Sequence, residues 1–243
     1  MLQDYDDSLQ RFAIGIFDRE GAATMNGLQA VRAGRTTVLE HQVQVYRRLD
    51  AALSTAEDPP GHTLACRSGC SYCCHYHVYV TVPEALAIAE HLRTLPVPKR
   101  DVFLQRLRSN AARASELGKE AHIQTNVACA FLSTEGACDI YALRPSACRR
   151  HHSYDVTPCR TTYEDPSCAD QNPMSPARHA TTDAFHAAAA TVAAQKGFDI
   201  ARYEMSGAVL EAATNTASAK RWKAGKTAFP SVRDRDESGG LQA

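Results

Sequence analysis

The stretch Cys66-Arg67-Ser68-Gly69-Cys70-Ser71-Tyr72-Cys73-Cys74 puts four cysteines within nine residues, in the spacing C-x3-C-x2-C-C. A soft metal needs several thiolates converging on one point, and a short loop supplies them without waiting for distant parts of the chain. Gly69 suits such a loop because it has no side chain to obstruct tight wrapping. Four more cysteines follow at Cys129, Cys138, Cys148 and Cys159, with a ninth at Cys168. Packing alone gives no reason for thiols at this spacing. The chain reads first as a metal-binding protein.

The 243 residues are 44% apolar and 22% charged, values of a soluble globular protein with one large domain or two small ones. Lysine plus arginine balances aspartate plus glutamate at 27 each, so no global field draws the chain to nucleic acid or to an anionic membrane. No apolar run reaches bilayer-spanning length, and the acidic start lacks the pattern of a secretory signal. The cytoplasm is the expected compartment. There thiols stay reduced unless a metal holds them, and the odd cysteine count with Cys73 beside Cys74 also speaks against structural disulfides.

Outward from the cysteine run, residues 1–27 show no clear order. From Leu28 to Ala56 the pattern is helical, with Leu39, Val43, Tyr46, Leu49 and Leu53 at steps of three and four, ending at Asp58-Pro-Pro-Gly61. Val78, Val80 and Val82 alternate with Tyr79 and Thr81 as in a short strand. Thr81-Val-Pro-Glu84 has the form of a capping box opening a helix to Leu95. A long amphipathic helix then runs to Thr125, with Phe103, Leu107, Ala111, Ala114, Leu117 and Ala121 on one side. Residues 126–180 carry five prolines and five cysteines with little periodicity, too long a stretch for an ordinary loop unless a metal holds it. Helical sequence resumes over Thr182–Lys196 and Ala201–Ala217, and residues 230–243 read as a disordered tail. The expected fold is mainly α: a helical bundle with an irregular, cysteine-rich, metal-bound layer and at most one or two short strands. A single domain is expected over 28–229.

Zinc ribbons usually recruit ligands as facing C-x2-C pairs, and this chain has one such pair, Cys70 to Cys73, followed by single cysteines. Close-set cysteines completed by remote ones suit iron–sulfur sites. Adjacent Cys73 and Cys74 would strain to chelate one ion, and serving two metals, or two irons of one cluster, is easier. Iron, as an iron–sulfur or multinuclear site, is therefore favoured over zinc. The C-x3-C-x2-C spacing with Tyr72 is also that of radical S-adenosylmethionine enzymes. Against it stand the helical flanks, a lone Gly239-Gly240 pair in the tail, and a surplus of cysteines. This remains the third reading.

Downstream the chain reads Cys129-Ala-Phe-Leu132, Gly136-Ala-Cys138-Asp-Ile-Tyr141, Arg144-Pro-Ser-Ala-Cys148-Arg149, then Cys159. Together with the first run, this series resembles the YkgJ-like cysteine-cluster family of the CxxCxxCC type, described as a zinc- or iron-chelating domain. The resemblance covers residues 60–160 well and extends more loosely to Trp222-Lys-Ala-Gly-Lys-Thr-Ala-Phe229. It implies eight chelating cysteines, Cys66, Cys70, Cys73, Cys74, Cys129, Cys138, Cys148 and Cys159, and leaves Cys168 outside. It implies metal ions as partners and no particular substrate.

His75, His77, His151 and His152 lie close to cluster cysteines in sequence and are candidates to replace a thiolate or to support one, hydrogen-bonded surface histidine being the plainer expectation. Arg144, Arg149, Arg150 and Arg160 are placed to offset the negative charge that several thiolates leave around a metal. Of these, Arg144, Arg149, His75 and His151 are the residues expected to surround the thiolates. Cys168 sits among Glu164, Asp165 and Asp170, which makes it a poor nucleophile. Two functions follow: a metal-chelating or electron-transfer centre, or structural zinc in a partner-binding module.

Overall fold

Asp6 opens the first helix by accepting hydrogen bonds from the N–H groups of Ser8 and Leu9, and α1 then runs over Asp7–Arg32. The computed structural model describes residues 5–168, 172–232 and 234–236. Ala13, Ile16, Glu20, Thr24, Leu28 and Val31 are buried along one face of α1 at steps of three and four. The expectation of no clear order through residue 27 is thus replaced by a helix that passes the expected boundary. Its glycines dilute helix propensity in the sequence, but one of them has a packing reason. A Cβ on Gly27 would stand 2.3 Å from Nδ1 of His41, so only glycine lets the two helices approach here.

The second helix, α2 (Val38–Ser54), starts at a reciprocal capping box between Thr37 and Glu40, which divides the expected single helix over 28–56 into two. The cysteine run follows, with a turn of 3-10 helix at Tyr72–His75, then strand β1 (Tyr79–Thr81). The capping box of Thr81 and Glu84 opens α3 (Val82–Thr94) as the sequence indicates. Val82, Ala85, Leu86, Ile88, Ala89 and Leu92 are all buried, covering most of the helix circumference, so α3 is the central helix. Helix α4 (Val97–Ile123) follows, interrupted at Gly118.

Residues 126–180 are more regular than their composition suggests. They contain a 3-10 turn at Tyr141–Leu143, α5 (Ser146–Arg150) and α6 (Val156–Glu164). Helix α7 spans Pro176–Gln195 and so begins before Thr182, because Ser175 caps it by accepting from Arg178 N–H and proline fits its first turn. The helix expected from Ala201 is instead strand β2 (Arg202–Glu204), then α8 (Met205–Thr214) and α9 (Ala217–Lys223). Within the expected tail from 230, β3 (Arg235–Asp236) is a strand, while residues 233 and 237–243 lie outside the described residues.

The three strands form an antiparallel sheet in the order β1-β2-β3, with Val80 opposite Tyr203 and Arg202 opposite Asp236. Around α3 pack α2, α8 and α9, while α1 packs along α7 and α4 along α8. The core joins Leu92, Phe103, Leu107, Phe131, Tyr203, Trp222 and Phe229. The architecture is mainly α, as the sequence reading expects, but it holds three short strands rather than the one or two expected, because β2 and β3 pair with β1 from distant segments that show no strand periodicity. Among the described residues no helix is long and apolar enough to cross a membrane.

Candidate metal centre

The cysteine loop is built from short local hydrogen bonds. Cys70 N–H donates to Arg67 O at 3.1 Å and Cys74 N–H to Ser71 O at 2.9 Å. The downstream block is then laid directly on it. Cys129 N–H donates to Cys74 O at 2.8 Å, and Val127 N–H to His75 O at 3.1 Å. Beyond Cys129 the chain turns back, with Ser133 N–H to Ala137 O at 2.8 Å and Asp139 N–H to Phe131 O at 2.9 Å. Gly136 sits in that turn with φ +75, and a Cβ there would lie 3.1 Å from the Gly69 carbonyl oxygen. The two cysteine loops therefore touch at a point where a side chain would intrude.

Apolar residues between the cysteines anchor this layer. Phe131, Ile140 and Leu143 are buried, and the Phe131 ring lies 5.5 Å from that of Phe103 on α4. Cys148 rides on α5, whose first residue is fixed from below. Ser146 donates to Glu84 Oε1 from its N–H at 2.7 Å and from its hydroxyl at 2.6 Å. Glu84 is at once the cap of α3 and the anchor of the segment carrying Cys148.

Electrostatics sort the thiols. Burial pushes the Cys148 thiol up, and nearby Cys129, Cys74 and Cys138 add to the effect while Arg144 opposes it. Cys129 is pushed up to about 12, chiefly by burial, with Cys74 and Cys138 contributing. Cys138 is raised by burial and by Cys74, against Arg144. These four thiols influence one another electrostatically, with Arg144 beside them, although among the described residues no three cysteine sulfurs lie within 4.8 Å of one another. Cys159, on α6, is raised by burial and then by Cys66 and Cys70. Tyr76 is raised by burial and then by Cys159, Cys73 and Cys70. That is a second such group.

Cys73 and Cys74 stand at the junction. Their mutual interaction raises Cys73 and lowers Cys74, with Arg144 adding to the lowering of Cys74. Cys73 also feels Cys148 and Cys66. Eight thiols of this kind suit a soft or borderline metal that takes sulfur, such as zinc or iron. Because buried thiols must lose their protons to ligate, binding would release protons and weaken in acid.

The expected surrounding residues divide. Arg144 is near the thiols, and its guanidinium also stacks over Tyr141 at 4.5 Å. Arg149 is turned away: it donates to Arg144 O at 3.0 Å and Ala142 O at 2.9 Å, pairs with Asp50, and covers the Tyr46 ring at 4.2 Å. It braces the loop rather than the thiols. Arg150 likewise pairs with Asp183, and Arg160 donates to the Tyr72 hydroxyl. His75 Nδ1 lies 3.0 Å from Ser71 O, and its ring meets Tyr163 edge-on. His151 stands against Tyr76 with its Nε2 buried and lacking a hydrogen-bond partner. His152 Nε2 accepts from Ser175 N–H at 2.8 Å. Cys168 lies in the turn after α6, its N–H donating to Asp165 O.

One further group was not assembled from sequence spacing. His77, His122 and Asp234 each place a ligand atom within 4.8 Å of the others'. His77 is close to the cysteine run, but His122 and Asp234 come from distant segments, and no local pattern joins them.

Residues 65–169, the segment holding all nine cysteines and a little under half of the chain, match the family CxxCxxCC, described as "Putative zinc- or iron-chelating domain". No curated protein and no solved structure matches the chain.

Proposed function

With residues 65–169 matched to the CxxCxxCC family of zinc- or iron-chelating domains as premise, we propose that the protein chelates iron through eight cysteines arranged as two adjoining sets of four. One set is Cys74, Cys129, Cys138 and Cys148; the other is Cys66, Cys70, Cys73 and Cys159. What supports this is the unequal placing of the adjacent pair: Cys74 acts on Cys129, Cys138 and Cys148, while Cys73 feels Cys66 as well as Cys148 and acts with Cys70 and Cys159 on Tyr76. Four thiolates complete a four-coordinate metal or hold one iron–sulfur cluster. With every position taken by protein sulfur, such a centre suits electron transfer better than substrate binding. Arg144 supplies positive charge on the buried side, offsetting surplus thiolate charge.

A second reading has its own support. The same closed sets would serve as structural zinc, tying the loop over 126–150 to α3, in a protein whose function is to bind a partner. Tyr141, 62% exposed beside Arg144, offers an aromatic contact on that surface. Metal and acid-labile sulfide analysis, with a visible spectrum, on protein purified without air separates the two. Iron with sulfide and colour supports the electron-transfer centre. Stoichiometric colourless zinc overturns it in favour of the structural reading.

A further inference from the structure

Apart from the thiols, the cluster of His77, His122 and Asp234 has the makings of a metal site. His77 follows the cysteine run by three residues, His122 stands near the end of α4, and Asp234 immediately precedes β3. His77 Nε2 lies 2.8 Å from Asp234 Oδ2, and the two histidine rings meet edge-on with centroids 4.5 Å apart. All three are sheltered: the His77 and Asp234 side chains are 6% and 12% exposed, and His122 is 5% exposed.

Two features remain unexplained if this is only a packing contact. Nδ1 of His122 is buried with no hydrogen-bond partner, a state that native proteins rarely leave without a reason. In addition, Asp234 is held from outside by the Tyr79 hydroxyl, which donates to Oδ1 and leaves Oδ2 turned to the histidine. Ligating carboxylates are commonly oriented by a hydrogen bond of this kind. A hydrogen-bonded His77–Asp234 pair would by itself account for the position of Asp234 beside β1, but it gives His122 no role.

We propose that His77, His122 and Asp234 bind one divalent first-row transition ion, zinc or ferrous iron in class, separately from the thiolate centre. Two imidazoles and one carboxylate are a common set for such ions, and with three protein ligands the ion keeps a position open to water or a small ligand. The geometry is close to what is needed. Metal–ligand bonds of about 2.1 Å set ligand atoms about 3.4 Å apart around a tetrahedral ion. The 2.8 Å separation of His77 Nε2 and Asp234 Oδ2 has to open slightly, and no pair of ligand atoms exceeds 4.8 Å. Glu204 lies near both His77 and Cys129, so the site adjoins the buried thiol set without sharing a residue with it.

The test is a cobalt(II) titration of the full-length protein with its thiolate metal in place, followed by difference absorption. The site predicts one equivalent of Co2+ giving ligand-field bands without new thiolate-to-cobalt charge transfer. His122→Gln and Asp234→Asn should each abolish that uptake, with thiol-bound metal and the far-ultraviolet circular dichroism unchanged. His122→Gln removes no hydrogen bond from Nδ1, which guards against a loss caused by misfolding alone. The proposal is overturned if the wild type takes up no such Co2+, if bound Co2+ shows thiolate charge transfer only, or if both variants bind as the wild type does.

Discussion

Replacing Glu84 by glutamine should loosen the segment that carries Cys148. Glu84 is 2% exposed, and its two oxygens accept five hydrogen bonds. Oε1 takes the Tyr46 hydroxyl with the Ser146 N–H and hydroxyl, and Oε2 takes the Thr81 N–H and hydroxyl. Burial would push this carboxyl up, yet its pKa is lowered, through nearby His186 and the bonds from Ser146 and Thr81. Substitution by glutamine removes the attraction to His186 together with the charge on these hydrogen bonds. Glutamine keeps the shape but must turn its NH2 toward one group of donors. That leaves either the Thr81 or the Ser146 N–H unpaired, at a cost of about 1–3 kcal/mol, and the remaining bonds lose charge assistance worth roughly 1 kcal/mol each. A total of about 3–5 kcal/mol corresponds to a fall in Tm of roughly 6–20 °C for a chain of this size. The assay is thermal unfolding together with metal release to a chelator. Metal held through Cys148 should leave faster, while metal held through Cys66 and Cys70 should leave at the wild-type rate. A Tm within about 2 °C of wild type would refute the reasoning, because a buried acceptor of five bonds cannot be neutralised at so little cost.

Three other perturbations test separate parts of the structure. Gly136→Ala forces a side chain onto φ +75 and brings its Cβ 3.1 Å from the Gly69 carbonyl; a loss of about 1–2 kcal/mol or more, read by urea unfolding, is expected. Asp58 is lowered to about 2 by hydrogen bonding from Arg178, against burial and with help from Tyr154. A depressed carboxyl stabilises above its unfolded value near 3.8 and loses that contribution as pH falls toward 2. The stability gap between wild type and Asp58→Asn should therefore close over that window, and a gap that stays constant would contradict the pairing. Cys168→Ser should leave metal content as in the wild type by elemental analysis, since Cys168 lies outside both thiol sets.

What the sequence makes legible is whatever is local. The Thr81–Glu84 capping box and the burial of the helix it opens follow from four residues and an apolar run. The equivalent Thr37–Glu40 box is just as local, but an uninterrupted periodicity across residues 28–56 hides it. Helix α1 is obscured by glycines whose reason is another helix, as the contact of Gly27 with His41 shows. The sheet depends on Val80 meeting Tyr203 across more than a hundred residues, which no periodicity reports. The site divides in the same way. Close cysteine spacing announces the thiols, whereas the partners of Cys73 and Cys74 are set by how the downstream block folds back onto the first loop. Arg149 illustrates the limit of proximity in sequence: it is next to Cys148, yet its guanidinium serves Asp50 and two carbonyls. His122 and Asp234 meet His77 only through the tertiary fold.

The proposed division of the thiols into two sets is tested most directly by elemental analysis of Cys73→Ser and Cys74→Ser, prepared side by side without air. These neighbours are assigned to different sets, so each variant should lose about half of the thiol-bound metal. Chelator kinetics should show that the fractions retained by the two variants are released at different rates. If both serines remove the same fraction, or either leaves the metal content unchanged, Cys73 and Cys74 do not belong to separate four-thiolate sets.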